Sequence, residues 1–176
     1  MGRIIETVKK SMAEEDIQFS IPEGHPNAIT YFLIYNGLTY FVVFQEFEET
    51  EMLQMNVMAP TTVPPESRLE VAHFLTRINK RFKLGFLALD MDDGSLSFTL
   101  GYDLEGMSQS AKNVFNMIYI GLQAIERHFP IIMSICYGGK SAIEALKEFD
   151  ESRLGIELKL AVNPGDSGRQ DHESAR

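Results

Sequence analysis

Two dense apolar runs, Ile29 to Tyr35 and Leu38 to Phe47, are separated by Asn36-Gly37 alone. Asparagine and glycine both tolerate positive φ, and a pair of them between apolar runs makes the type I′ turn whose twist matches that of paired strands. The dipeptide therefore predicts an antiparallel hairpin. On its N-terminal side Ile17, Phe19 and Ile21 alternate with polar residues, a period of two that predicts a strand ending at Pro22. On its C-terminal side Leu53, Met55 and Val57 alternate with Gln54 and Asn56, predicting a strand over about 52–59. Four meandering strands are expected.

The rest of the chain reads as helices and one more hairpin. Ile4, Ile5, Val8 and Met12 form one stripe of a helix over about 2–15. Pro65 suits the first turn of a second helix, with Leu69, Ala72, Leu75, Ile78 and Phe82 as its stripe and Gly85 near its end. Phe86 to Met91 and Ser95 to Leu104 predict a hairpin turned at Asp93-Gly94, with Leu96, Phe98, Leu100 and Tyr102 facing inward. A long helix capped by Ser108 should cover that face as far as His128, Pro130 should start a second helical piece, and Gly138-Gly139 should end it. A short helix over 140–150 follows on Ile143, Leu146 and Phe149.

This pattern predicts an α+β fold: an antiparallel sheet of a strand meander plus a hairpin, packed with helices. At 176 residues the chain suffices for one domain, expected over 1–150. Leu154, Ile156, Leu158, Leu160 and Val162 alternate and suggest an extra edge strand over 151–162, and the polar stretch 163–176 is expected to be disordered.

Composition narrows the function classes. With 25 acidic residues against 16 basic and a net charge of −9, the chain lacks the basic surface that phosphate neutralisation requires, so no nucleic-acid partner is expected. No apolar run approaches the roughly 20 residues a membrane span needs. Met1 to Lys10 is charged and amphipathic rather than signal-like, and the single cysteine, Cys136, fits a reducing compartment. A cytoplasmic protein is expected. The acidic residues of 46–51 read as a solvated strand connection.

Several short motifs suggest chemistry and fail on context. Gly165-Asp166-Ser167-Gly168 has the form of a protease nucleophile signature but lies in the polar tail. Gly139-Lys140-Ser141 lacks the glycine a phosphate loop needs five residues earlier, where Ser134 stands. Asp90, Asp92 and Asp93 resemble a calcium loop whose twelfth position is Gly101 instead of glutamate. Glu70 and His73 have the spacing of a carboxylate-bridged metal motif that would have to occur twice. No catalytic residue, metal or cofactor follows.

The positive feature is that the hairpin strands are apolar on both faces. Tyr31, Leu33, Tyr40, Val42 and Phe44 share one side, while Phe32, Ile34, Phe41 and Val43 share the other. Either helices sandwich the pair, or one face buries itself in a second copy or in a protein client. The Tyr31, Leu33, Tyr40, Val42 and Phe44 face is taken as the partner-binding one. The alternative is a small-molecule sensor or enzyme with a pocket beside the helices, for which Asn79, His73 and Asp90 are the candidate polar groups.

From Pro64 onward the chain also resembles the YbjN family of bacterial proteins, which share the fold of type III secretion chaperones. The resemblance rests on Phe74-Leu75, Ile78-Asn79, Leu84-Gly85-Phe86, Leu89-Asp90, the turn Asp93-Gly94 and the alternating strand after it. It covers about 64–150 by motif and 1–59 by element order. It implies a secretion-chaperone-like fold and a cytosolic protein, often dimeric, with labels such as sensory transduction regulator. It transfers no catalytic residue.

Overall fold

The computed structural model describes residues 3–103 and 111–162. Helix α1 (Arg3–Glu14) comes first, then the hairpin β1 (Ala28–Tyr35) and β2 (Leu38–Phe47), and β3 (Met52–Met58). After α2 (Arg68–Asn79) come the hairpin β4 (Phe86–Leu89) and β5 (Leu96–Asp103), then α3 (Ala111–Gly138) and α4 (Ala142–Val162). One antiparallel sheet results, in the order β1-β2-β3-β5-β4. Asn36 and Gly37 have φ of 48° and 76°, the two left-handed residues that a type I′ turn requires.

The helices lie over one face of the sheet. Ile5, Val8 and Met12 of α1 are buried with the β1 and β2 side chains beneath them, and Met117, Ile118, Leu122 and Ile125 of α3 are buried over β3 and β5. Gly121 lets α3 approach β3 so closely that an added Cβ would lie 2.6 Å from Val57 Cγ2. Glu46, expected in a solvated connection, is buried, and its Oε2 accepts a 3.0 Å hydrogen bond from the Ile5 amide. A carboxylate from β2 thus satisfies one of the open donors in the first turn of α1. Asp16, in the left-handed region at φ 56°, closes that helix while the Ile17 amide donates back to the Met12 carbonyl.

Several expectations are corrected. Residues 17–21 form no strand; they touch the sheet through one bridge, Ser20 to Thr30, because Pro22 and the turns after it stop the ladder. The buried stripe of α2 is Val71, Phe74, Leu75 and Ile78: Leu75 and Ile78 are buried as expected, whereas Val71 and Phe74 take the places expected of Leu69 and Ala72, and Leu69 faces solvent. In α4 the buried stripe is Ala142, Ala145 and Phe149, and Ile143 is exposed. Pro130 does not divide α3, although an interior proline costs about 3 kcal/mol, because buried residues on both sides of it, Ile125, His128, Ile132 and Ile135, continue one stripe. Residues 151–162 are helical as part of α4 rather than an edge strand: Leu154, Leu158 and Val162 also satisfy the i, i+4 spacing of a helix. The Ser108 cap and the 163–176 tail lie outside the described residues.

The second hairpin turns more widely than expected. Only Gly94 has positive φ, at 80°, and the Asp90 amide donates to the Ser95 carbonyl, so residues 91–94 form the loop. Arg68 holds it by donating to the carbonyls of Val63, Met91 and Asp92.

Candidate functional site

The sheet face opposite the helices carries no element of the described chain. Cross-strand register places Phe32 beside Phe41, Thr30 beside Val43 and Met58 beside Phe41 on it, and the Phe32 and Phe41 rings lie 5.0 Å apart. Phe32 and Ile34 are 73% and 74% exposed. Towards β5 the same face turns polar, with Gln45, Gln54, Asn56 and Thr99 in adjoining positions. Phe47 and Met52, paired across β2 and β3, and Phe86, opposite Thr99, are further exposed apolar residues on this face, and Phe32 and Ile34 at the β1 end are the most exposed large apolar residues of the described strands.

β1 is also an edge strand. In a two-residue hairpin the residues flanking the turn exchange hydrogen bonds, so Tyr35, Leu33 and Tyr31 turn their backbone groups toward β2. Thr30, Phe32 and Ile34 turn theirs outward. Thr30 exchanges both bonds with Ser20, at 2.9 and 2.8 Å, whereas no described residue pairs with the outward groups of Phe32 and Ile34. Two exposed apolar side chains thus coincide with two unpaired backbone positions.

The residues expected to bind a partner lie on the other side. Tyr31, Tyr40, Val42 and Phe44 are buried, Tyr40 at 1% exposure, and Leu33 is partly buried against the same core. The apolar face open to solvent is the opposite one, because α1 and α3 cover the tyrosine side.

A second concave feature lies between the end of α2, the middle of α3 and α4. It is a cleft of about 330 Å³ walled by Ile78, Phe82, Ile120, Ala124 and Phe149. Its polar groups are Arg81, Tyr119, Gln123, Arg127 and His128. Arg81 makes a bidentate ion pair with Asp150, with Nη2 to Oδ2 at 3.0 Å. Arg127 lies 5.5 Å from the Phe149 ring centre, and no described carboxylate pairs with it. His128 Nδ1 donates to the Ala124 carbonyl at 2.7 Å, and its ring stacks on Phe149 at 4.9 Å. Burial pushes the His128 pKa below its ordinary value, and the nearby Arg127 and Arg81 push the same way against the Ala124 bond. A neutral, flat histidine results at neutral pH.

The polar groups expected to mark a pocket are not brought together. The Asn79 amide exchanges two 2.9 Å hydrogen bonds with the Leu87 backbone, tying α2 to β4. His73 sits 3.7 Å from Glu70 on the exposed side of α2, and Asp90 Oδ1 accepts from the Asp92 and Asp93 amides. Gly139-Lys140-Ser141 is a helix cap: the Ser141 amide donates to Glu144 Oε2, and Ser141 Oγ bonds the same carboxylate. Those bonds hold the Glu144 carboxyl below its ordinary range. Cys136 is half-buried, and burial pushes its thiol pKa up. Among the described residues no helix is long and apolar enough to cross a membrane.

A family model for YbjN, described as "Putative bacterial sensory transduction regulator", matches residues 5–132. The match takes in α1 and the first three strands as well as the stretch from Pro64. No curated protein matches the chain. Among solved structures, the crystal structure of the ExsC-ExsE complex contains a chain similar at TM-score 0.53 and 11% identity, over 72% of this chain and 90% of that one. The crystal structure of YbjN from E. coli, described as a putative transcription regulator, is similar at TM-score 0.48 and 13% identity, over 66% and 82%. The likeness to the chain of the ExsC-ExsE complex is one of fold, and it accords with the α+β, secretion-chaperone-like architecture expected from the sequence.

Proposed function

Since this chain belongs to the YbjN family, we propose that it is a non-catalytic, protein-binding regulator of the bacterial cytoplasm whose β1 edge pairs with β1 of a second copy. The observation that carries the reading is the coincidence of exposed Phe32 and Ile34 with their own unpaired outward backbone groups. An antiparallel pairing centred on Leu33 sets Phe32 of each copy opposite Ile34 of the other. The pairing is self-complementary, as a two-fold contact requires. It joins the two sheets and brings four large apolar side chains together on the open face.

Charge at the contact itself does not oppose a second copy as the occupant. Two chains of net charge −9 repel, yet Phe32, Ile34, Phe41 and Val43 carry no ionisable group, so the contact brings no like charges together. The fold shared with a chain of the ExsC-ExsE complex supports protein contact as the way such a scaffold works.

Light scattering across a concentration series tests this. The wild-type protein is expected to approach twice the chain mass, and the Phe32→Glu/Ile34→Glu variant to stay at one. Leu69→Glu, at an exposed apolar site on α2, should leave the dimer intact. A wild-type monomer throughout, or a dimer that survives the double substitution, overturns the reading.

A further inference from the structure

The cleft between α2, α3 and α4 has a charge balance unlike its surroundings. The protein is strongly acidic, yet among the described residues no carboxylate lines this cleft, and two guanidinium groups do. Asp150 neutralises Arg81 through its bidentate pair. Arg127 has no carboxylate partner among the described residues and rests against an aromatic ring. One net positive charge therefore stands at the side of a flat-walled hollow. Phe82, Phe149 and the His128 ring supply parallel or tilted aromatic surfaces, with Phe82 to His128 at 5.3 Å and His128 to Phe149 at 4.9 Å.

We propose that this cleft is a binding site for a small aromatic carboxylate, its ring system among Phe82, Tyr119 and Phe149 and its carboxylate on the Arg127 guanidinium. About 330 Å³ is at the lower end of ligand-pocket sizes, which suits a one- or two-ring molecule. The guanidinium fork matches a carboxylate in bidentate geometry. A phosphate group demands more donors than one free guanidinium, and the described lining residues of α3 and α4 lie inside their helices rather than at an N-terminus with open amides. Gln123 adds orientation: its Nε2 donates to the Tyr35 hydroxyl at 3.1 Å, which fixes the amide and leaves Oε1 as an acceptor for a ring N–H or hydroxyl. Arg81 serves as a wall rather than a ligand, since its fork is already occupied.

Isothermal titration of the full chain with sodium naphthalene-2-carboxylate is the direct test, with naphthalene-2-carboxamide as the neutral isostere. Saturable binding of the carboxylate is expected, weaker by roughly ten-fold or more for the amide, since a charge-assisted pair is being lost. Arg127→Gln should weaken the carboxylate by a similar factor and leave the amide unchanged. Ile120→Trp should fill the cleft and abolish both. Phe32→Glu should alter neither, which separates this site from the open sheet face and its fate from that of the dimer. No saturable binding to the wild-type protein overturns the proposal. So does equal affinity for carboxylate and amide, a comparison made on the wild type that no folding defect can confound, or loss of binding in Phe32→Glu.

Discussion

The two faces of the β1-β2 hairpin are built from the same kind of residues and end in opposite environments. Tyr31, Tyr40, Val42 and Phe44 are buried beneath α1 and α3, while Phe32 and Ile34, one position away along the same strand, are exposed. Strand propensity and hydrophobicity do not distinguish the two sets. What separates them is which face the amphipathic stripe Ile5, Val8 and Met12 occupies, and that is settled by contacts distant in sequence, such as the Ile5 amide on Glu46. The same kind of apolar side chain therefore serves stability on one face and, in the proposed pairing, contact on the other.

The largest expected effect comes from truncating one residue on each face. Phe44→Ala, at a fully buried position, should lower unfolding free energy by about 3–5 kcal/mol in chemical denaturation. Phe32→Ala, measured at a concentration low enough to keep the chain monomeric, should change it by no more than about 0.5 kcal/mol. Comparable losses at both positions would mean that the open face is covered in the isolated chain.

Glycines test the same contrast next. Gly121→Ala places a Cβ 2.6 Å from Val57 Cγ2, and overpacking of roughly 1–3 kcal/mol should outweigh the helix propensity gained, about 1 kcal/mol. Gly101 lies on the open face of β5, where an added Cβ meets only the flexible end of Met52 at 3.4 Å. Gly101→Thr should be neutral or stabilising, by up to about 1 kcal/mol. A gain at Gly121 would show that α3 has room to move off β3.

Local features of the fold were legible in the sequence, and choices between faces were not. The Asn36-Gly37 turn, the alternation in β3 and β5 and the helix break at Gly139, φ 66°, follow from backbone chemistry within a few residues. The open face did not, because a strand apolar on both sides has a period of two with no sign. The missing signal was negative: a stripe of three apolar residues in α1 and one long α3 cover a single face, and among the described residues no further helix shields the other. The cleft left no trace either, since Arg81 in the turn after α2, Arg127 of α3 and Phe149 of α4 are brought together from distant parts of the chain. Pairing Pro130 with a helix break failed because the local rule was outweighed by packing on both sides of it.

The covered side also buries a titratable ring that the open face lacks. Above the ordinary histidine value of 6.5, His128 is neutral in both folded and unfolded chains and costs nothing. As pH falls through 6.5 the unfolded chain takes up a proton that the folded one, with its depressed pKa, does not, so stability should fall toward pH 5. The Glu144 and Asp93 carboxyls, both held below their ordinary values, matter only in a more acidic window. His128→Phe should flatten the decline between pH 7 and 5 in urea midpoints, whereas the affinity of the proposed dimer, resting on uncharged groups, should stay level over the same range. Parallel declines in the variant and the wild type would remove His128 from the account.

The smallest effect separates two tyrosines on β1 that share the covered side. Tyr31 is buried, its hydroxyl has no hydrogen-bond partner among the described residues, and burial pushes its pKa up. The Tyr35 hydroxyl accepts from Gln123. Removing a buried, unpaired hydroxyl relieves a desolvation cost, so Tyr31→Phe should be stabilising by about 1 kcal/mol, while Tyr35→Phe should lose about 0.5–1 kcal/mol with its hydrogen bond. The opposite signs come from one strand and one chemical change, so differences in propensity, size or aromatic packing cancel between them. A loss at Tyr31 would place an ordered water or another polar group against its hydroxyl, and would make the covered face wetter than its side chains indicate.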